Sequence, residues 1–290
     1  MSAPITIRNS FALGQKLPNF MNWKLDGNVT ATTSGEHTLA TDPPFFAIQS
    51  ATNWIQVGQQ VLTQTPQNSE IDKEGLAFHE HPAGHGNEGD IVRTAGIYLI
   101  HPICQALWAN PTLQGKVMCQ SEASSNGIRA DITFYRTPPV PQGTSRAVAV
   151  VELKKRGVIN APAKQNSRET KVMLEDAMKK ITATQDHRYW AQRAQGQTGD
   201  TFFHGNSEIL MKQASSYAIH HGTQFVALFN WDYLVLVHFT QMDPRVTKVE
   251  TRRSNGVGEY CEMTIIPYKN SDHMRSALLG FLALAYQDTP

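Results

Sequence analysis

Apolar residues at Ile91, Ala95, Leu99, Ile103 and Leu107 recur every four positions, the spacing of an amphipathic helix of roughly 20 residues. Pro102 lacks an amide hydrogen and should kink that helix or end its regular part. The period then changes. Ile128, Ala130, Ile132 and Phe134 fall on alternate positions, and AVAVVELK (147–154) is a β-branched run, so two strands are expected, the second buried on both faces. Between them RTPPVPQGTSR (136–146) has three prolines and a glycine and predicts an exposed hairpin connection. A second helical stripe, through Val172, Met173, Ala177, Met178 and Ile181, predicts a helix from about Ser167 to Arg193. A third opens near Asn206 or Ser207, either a good N-cap, and closes at Gly222, a natural C-cap. QFVALFNW and YLVLVHF, separated by Asp232, read as adjacent strands. Residues 245–268 predict a further hairpin turning at 254–258, and about Ser271 to Tyr286 a last apolar helix.

Residues 1–70 are polar, with short apolar patches such as Pro44-Phe45-Phe46 and Trp54-Ile55 but no sustained period. They are expected to form a partly irregular arm or cap ahead of a domain covering 71–290. The order of elements predicts an α/β fold, a mixed central sheet with helices on its faces. Repeats of 20 to 50 residues are absent.

Composition narrows the function classes. A chain of 290 residues with 40% apolar and 18% charged positions is long enough to bury a large core, which excludes a disordered or fibrous protein. The opening MSAPITIRNSFALGQK shows no basic flank followed by an apolar stretch, and the apolar run LLGFLALAY falls far short of the roughly 20 residues that span a bilayer. No membrane association is expected, and an intracellular location, cytoplasm or nucleus, is. Cys104, Cys119 and Cys261 are odd in number and form no C-x-x-C pair, arguing against a disulfide framework or a zinc ribbon. The formal net charge of +1 hides a local excess: residues 146–195 carry 11 basic and 5 acidic side chains. Any phosphate-binding surface should lie there.

That segment opens on E-x-K. Glu152 and Lys154 are two apart in a strand and so project to one face. Pairing of this strand with 128–134 can set Asp131 beside Glu152, two carboxylates a few ångströms apart. A hard divalent cation, Mg²⁺ or Mn²⁺, would relieve their repulsion and leave coordination sites for a phosphate oxygen and a water. Lys154 can orient or help deprotonate that water and offset the charge that develops in phosphodiester hydrolysis.

An acidic residue on one strand followed by (D/E)-x-K on the next resembles the core of the PD-(D/E)XK nuclease superfamily, the restriction-endonuclease-like fold, over roughly residues 85–240. Ala130 stands where the name-giving proline would. Gln213 and Tyr217 fit the Q-x-x-x-Y motif of the RecB and lambda-exonuclease-like branch, and their spacing puts both on one helix face. The resemblance implies a Mg²⁺- or Mn²⁺-dependent nuclease acting on nucleic acid, DNA favoured over RNA. It implies metal ligation by Asp131, Glu152, the Leu153 carbonyl and an acidic residue on the preceding helix, Glu88 or in its place Asp90. Lys154 would act on the water, and Gln213 and Tyr217 would contact the backbone and prop the site. Arg129, Lys155 and Arg156 are the basic residues nearest the motif and the expected phosphate contacts; Lys164 and Arg168 follow. The alternative is a catalytically inactive module of the same fold that binds nucleic acid or a protein partner. Oligomeric state is left open.

Other patterns have plainer readings. Gly84-His85-Gly86-Asn87-Glu88-Gly89 spells G-x-G-x-x-G, but the upstream segment is polar and no acidic residue follows from Ile91 to Gln120, so a dinucleotide site is not expected. His79, His81 and His85 are read as a solvated loop rather than a zinc site, and His220 and His221 as surface or helix-end residues. Tyr189 and Trp190 could stack bases beside Arg188 and Arg193, though helix packing is the simpler reading. A G-x-S-x-G elbow is absent.

Overall fold

The structure is a computed structural model, and it describes residues 5–20, 38, 40–76, 84–125, 127–137, 146–159, 178–179, 201, 203 and 205–289. The expected connection at 138–145, most of the 167–193 stripe, His79, His81, Lys164, Arg168 and residues 188–193 lie outside these residues.

The strands are β1 (Phe46–Gln49), β2 (Val117–Ser125), β3 (Ile128–Arg136), β4 (Ala147–Leu153), β5 (Met178–Lys179), β6 (Phe225–Phe229), β7 (Tyr233–His238) and β8 (Tyr260–Pro267). They form one mixed sheet in the order β2-β3-β4-β6-β7-β8-β1-β5. β2, β3 and β4 are successively antiparallel, β4 pairs parallel with β6, and β6, β7 and β8 are again antiparallel. The helices are α1 (Trp54–Gln64), α2 (Glu70–Lys73), α3 (Glu88–Ala95), α4 (His101–Ala109), α5 (Asn206–His221), α6 (Val249–Asn255) and α7 (Met274–Asp288).

Central strands face apolar layers on both sides, which is why β4 and β6 are buried at every position. Phe225, Ala227 and Phe229 point with Val151 and Leu153 into a core shared with α1, α3, α4 and α7. Val226, Leu228 and Val150 point the other way, toward Leu210, Met211, Ala214 and Tyr217 of α5. The result is a three-layer α/β arrangement with helices on both faces of an open sheet. Among the described residues no helix is long and apolar enough to cross a membrane.

The helix around Pro102 is continuous in space but not in winding. A π-helical turn, Gly96–Ile100, joins α3 to α4. Pro102 cannot donate to the carbonyl four residues back, that of Tyr98. Arg275 of α7, itself buried, donates to that carbonyl through Nε at 2.8 Å. The expected irregularity is thus built into the contact between two helices.

Three expectations are corrected. Described residues before 70 belong to the main core rather than to a separate cap: β1 pairs with β8, and Ile7, Phe11, Leu17 and Phe20 are buried in the same cluster as α7. Four isolated apolar anchors do not make a period, so the pattern could not show them. Met178 and Lys179, expected in a helix, form a short parallel pairing with β1. The 245–268 segment is not a hairpin. Its first half is α6, closed by Gly256 at φ +68°, and only its second half enters the sheet as β8, between β7 and β1.

Candidate active site

β3 and β4 pair with Ile132 opposite Val151, and one step further along that register sets Asp131 across from Glu152. The Leu153 N–H donates to Asp131 Oδ2 at 2.7 Å, fixing the carboxylate against the neighbouring backbone. Glu152 lies in the buried end of β4, next to Leu228 of β6, and the Lys154 N–H donates to the Phe229 carbonyl at 2.8 Å. The site therefore sits at the carboxyl ends of two parallel strands, the usual place for a ligand crevice in an open α/β sheet.

Lys154 Nζ donates to Glu152 Oε1 at 2.7 Å. Burial is the largest influence on Glu152 and raises its pKa; Lys154 opposes the rise, Asp131 adds to it, and the result is pushed up to about 7. Burial works against charge on Lys154 as well, yet Glu152, Glu88 and Asp131 outweigh it and hold its pKa above the ordinary lysine value. Tyr217 of α5 is raised by burial and then by Glu152, Asp131 and Glu88, so its hydroxyl keeps its proton. That hydroxyl sits beside Glu152 and favours its ionised form, while Glu152 Oε2 has no partner of proper hydrogen-bond geometry.

Glu88, Asp131, Glu152, Lys154 and Tyr217 thus share one electrostatic neighbourhood, drawn from α3, β3, β4 and α5. Glu88 is the first residue of α3 and exposed. Asp90 is used differently: its side chain accepts from the backbone of Gly86 and Asn87 while Asn87 accepts from the Asp90 N–H, a reciprocal capping box. Gly84–Gly89 is therefore a helix start rather than a phosphate loop. Gln213 is buried one turn before Tyr217 on α5.

The basic residues divide. Arg129 is exposed, with Glu122 3.9 Å away, and Lys155 is half-buried. Arg156 is held by Asp232, with Nε and Nη2 at 2.9 and 2.5 Å from Oδ1, and its Nη1 donates to the Phe20 carbonyl at 2.8 Å. Asp232, expected only as the break between two strands, is thus an ion-pair partner, and its neighbour Trp231 carries a further role that no motif announced. Trp231 occupies the left-handed region at φ +72°, costly for a bulky side chain. It is fully buried and donates through Nε1 to the Pro18 carbonyl at 3.0 Å, so it seats the N-terminal segment beside Arg156. The tripeptide Asn230-Trp231-Asp232 between two apolar runs was its only sequence signal.

Histidines need correction too. His85 is not in solvent: it is buried against Phe20 and Trp231, with Nε2 2.9 Å from Thr94 Oγ1, and burial lowers its pKa to about 4. His220 and His221 do end α5, as expected, but both are buried rather than at the surface. His220 Nδ1 lies 2.8 Å from the Ser216 carbonyl and Nε2 3.0 Å from Arg253 Nη2.

Among the described residues no group of three or more His, Cys, Asp or Glu side chains is arranged to hold a metal ion. The available donors are hard oxygens, including the unbonded, buried Glu152 Oε2 beside Asp131. That donor chemistry suits Mg²⁺ or Mn²⁺ rather than a soft cation.

Compared with protein-family models, curated proteins and solved structures, the chain has no match in any of the three.

Proposed function

We propose that the protein is a metal-dependent nuclease of the PD-(D/E)XK kind, with a restriction-endonuclease-like core, hydrolysing phosphodiester bonds of DNA in preference to RNA. The observation that carries this reading is the fixed placement of Asp131 across from Glu152 and Lys154, with Leu153 N–H holding Asp131. Tyr217 of the Q-x-x-x-Y helix beside the same carboxylate supports it.

Asp131, Glu152, the Leu153 carbonyl and Glu88 would hold Mg²⁺ or Mn²⁺. Such an ion, when bound, supplies Lewis-acid polarisation of the phosphate and a more acidic water. Glu152, with a pKa near neutrality in the metal-free protein, loses its proton to become an anionic ligand. Lys154 remains an ammonium at neutral pH because its pKa is raised; its role is to stabilise negative charge developing on the phosphoryl oxygens, not to act as the base. Tyr217 keeps its proton and orients Glu152. The exposed Arg129 and the half-buried Lys155 contact the nucleic-acid backbone, the buried Gln213 props the site from α5, and Arg156 acts through its pairing with Asp232 to hold the strand end in place.

The test is incubation of the full chain with labelled single- and double-stranded DNA and RNA in Mg²⁺ or Mn²⁺, with EDTA controls. Cleavage that requires the ion is expected, with DNA the better substrate. Retention of nucleic acid without cleavage in any ion would instead favour the inactive binding module.

A further inference from the structure

Cys104 and Cys119 are 15 positions apart in sequence and belong to different layers, Cys104 to α4 and Cys119 to the edge strand β2. The fold packs α4 against β2 and so brings the two cysteines to one place. Both line one cavity of about 310 Å³ together with Gln105, Leu107, Trp108 and Phe134. Both are half-buried, and Trp108 on the same wall is 57% exposed, so the cavity opens at the surface. The third cysteine is the internal contrast: Cys261 is fully buried on β8 in the opposite core.

We propose that Cys104 and Cys119 form a redox-active dithiol, the site at which a small hydroperoxide converts the protein to an intramolecular disulfide joining α4 to β2. A cavity of this size admits hydrogen peroxide or a small organic hydroperoxide, and its apolar wall favours the latter. Interaction between the two thiols divides the labour. Its neighbour Cys104 lowers the pKa of Cys119, while Cys119 and then burial raise that of Cys104. Cys119 is the nucleophile, since the thiolate is the reactive form.

The Cys119 sulfur attacks the terminal peroxide oxygen; the O–O bond breaks, an alcohol or water leaves with the thiol proton, and Cys119 becomes a sulfenic acid. The Cys104 sulfur then attacks Cys119 sulfur. The S–O bond breaks, and the hydroxide leaves as water with the proton of Cys104. Two thiols lose two electrons and two protons, and an organic hydroperoxide is reduced to one alcohol and one water, or hydrogen peroxide to two waters. Burial keeps the Cys261 thiol protonated, leaving it outside this chemistry.

The test treats the reduced full chain with hydrogen peroxide and, separately, cumene hydroperoxide, then maps alkylated peptides under non-reducing conditions. The expected product is a cross-linked Cys104–Cys119 peptide, reversible by dithiothreitol, with Cys261 unmodified. In Cys104→Ser the sulfenic acid on Cys119 should persist and be trapped by dimedone. Both thiols staying alkylatable, disulfides forming only between chains, or Cys119 oxidising while Cys104 stays a free thiol would each overturn the proposal. The wild-type peptide map decides the matter even if the serine variant does not fold.

Discussion

The Leu153 amide donates to Asp131 Oδ2 at 2.7 Å, so the carboxylate of one strand is tied to the backbone between the Glu and the Lys of the next. This bond gives Asp131 a structural duty separable from chemistry. Asp131→Asn keeps an oxygen for the Leu153 N–H and should change stability by less than about 1 kcal/mol, whereas Asp131→Ala leaves that donor unmet and should cost roughly 1–3 kcal/mol. Both should lose cleavage by about 100-fold or more. Urea unfolding alongside cleavage rates separates the two duties; equal stability of the two variants would show that the bond contributes nothing.

Glu152 gives a pH signature. Its folded pKa of about 7 stands above its ordinary value of 4.5, so between those limits the unfolded chain has released a proton that the folded chain retains. Stability is therefore lost as pH rises from 4.5 to 7, by on the order of 3 kcal/mol at the upper end. Glu152→Gln removes this titration. In EDTA its thermal midpoint should overtake wild type as pH rises through this window, the difference fading below pH 4.5. A difference independent of pH would contradict the assigned burial of a titrating carboxyl.

The packing of α1 on α7 makes a prediction opposite in sign to helix propensity. Gly-to-Ala in a helix interior ordinarily stabilises by up to about 1 kcal/mol. A Cβ on Gly58 would collide with the Ser276 carbonyl, and one on Gly280 with the Trp54 carbonyl and the Gly58 amide. Gly58→Ala and Gly280→Ala should each destabilise by roughly 1–3 kcal/mol or more, read from chemical unfolding. A stabilised Gly58→Ala would mean that the N-terminal helix is not docked as described.

Legibility in the sequence followed burial pattern. β4, β6 and β7 are apolar runs long enough to announce buried strands, and α5 carried its own stop signal, Gly222 at φ +71°. β2 escaped notice because it is an edge strand with only Ala123 buried, so its polar face swamps any alternation. β1 is four residues long, too short for a period. At the site, the common face of Glu152 and Lys154 followed from strand geometry alone, and Asp131 from assuming that two strands pair. Tyr217 beside Glu152 came from the resemblance, since no spacing rule places a helix 60 residues downstream against a strand. Asp232 was legible only as the break between two apolar runs, and the Trp231 anchor not at all, because a strained turn residue is recognised by its backbone angle, not by its neighbours.

The most direct measurement is the Mn²⁺-dependent rate of DNA cleavage by wild type, Glu152→Gln and Lys154→Ala, purified identically and checked for folding. Wild type should cleave in a manner that EDTA abolishes, and each variant should lose about 100-fold or more. Wild-type rates in both variants, or cleavage that survives EDTA, would contradict the assignment of this carboxylate and lysine pair as the catalytic centre.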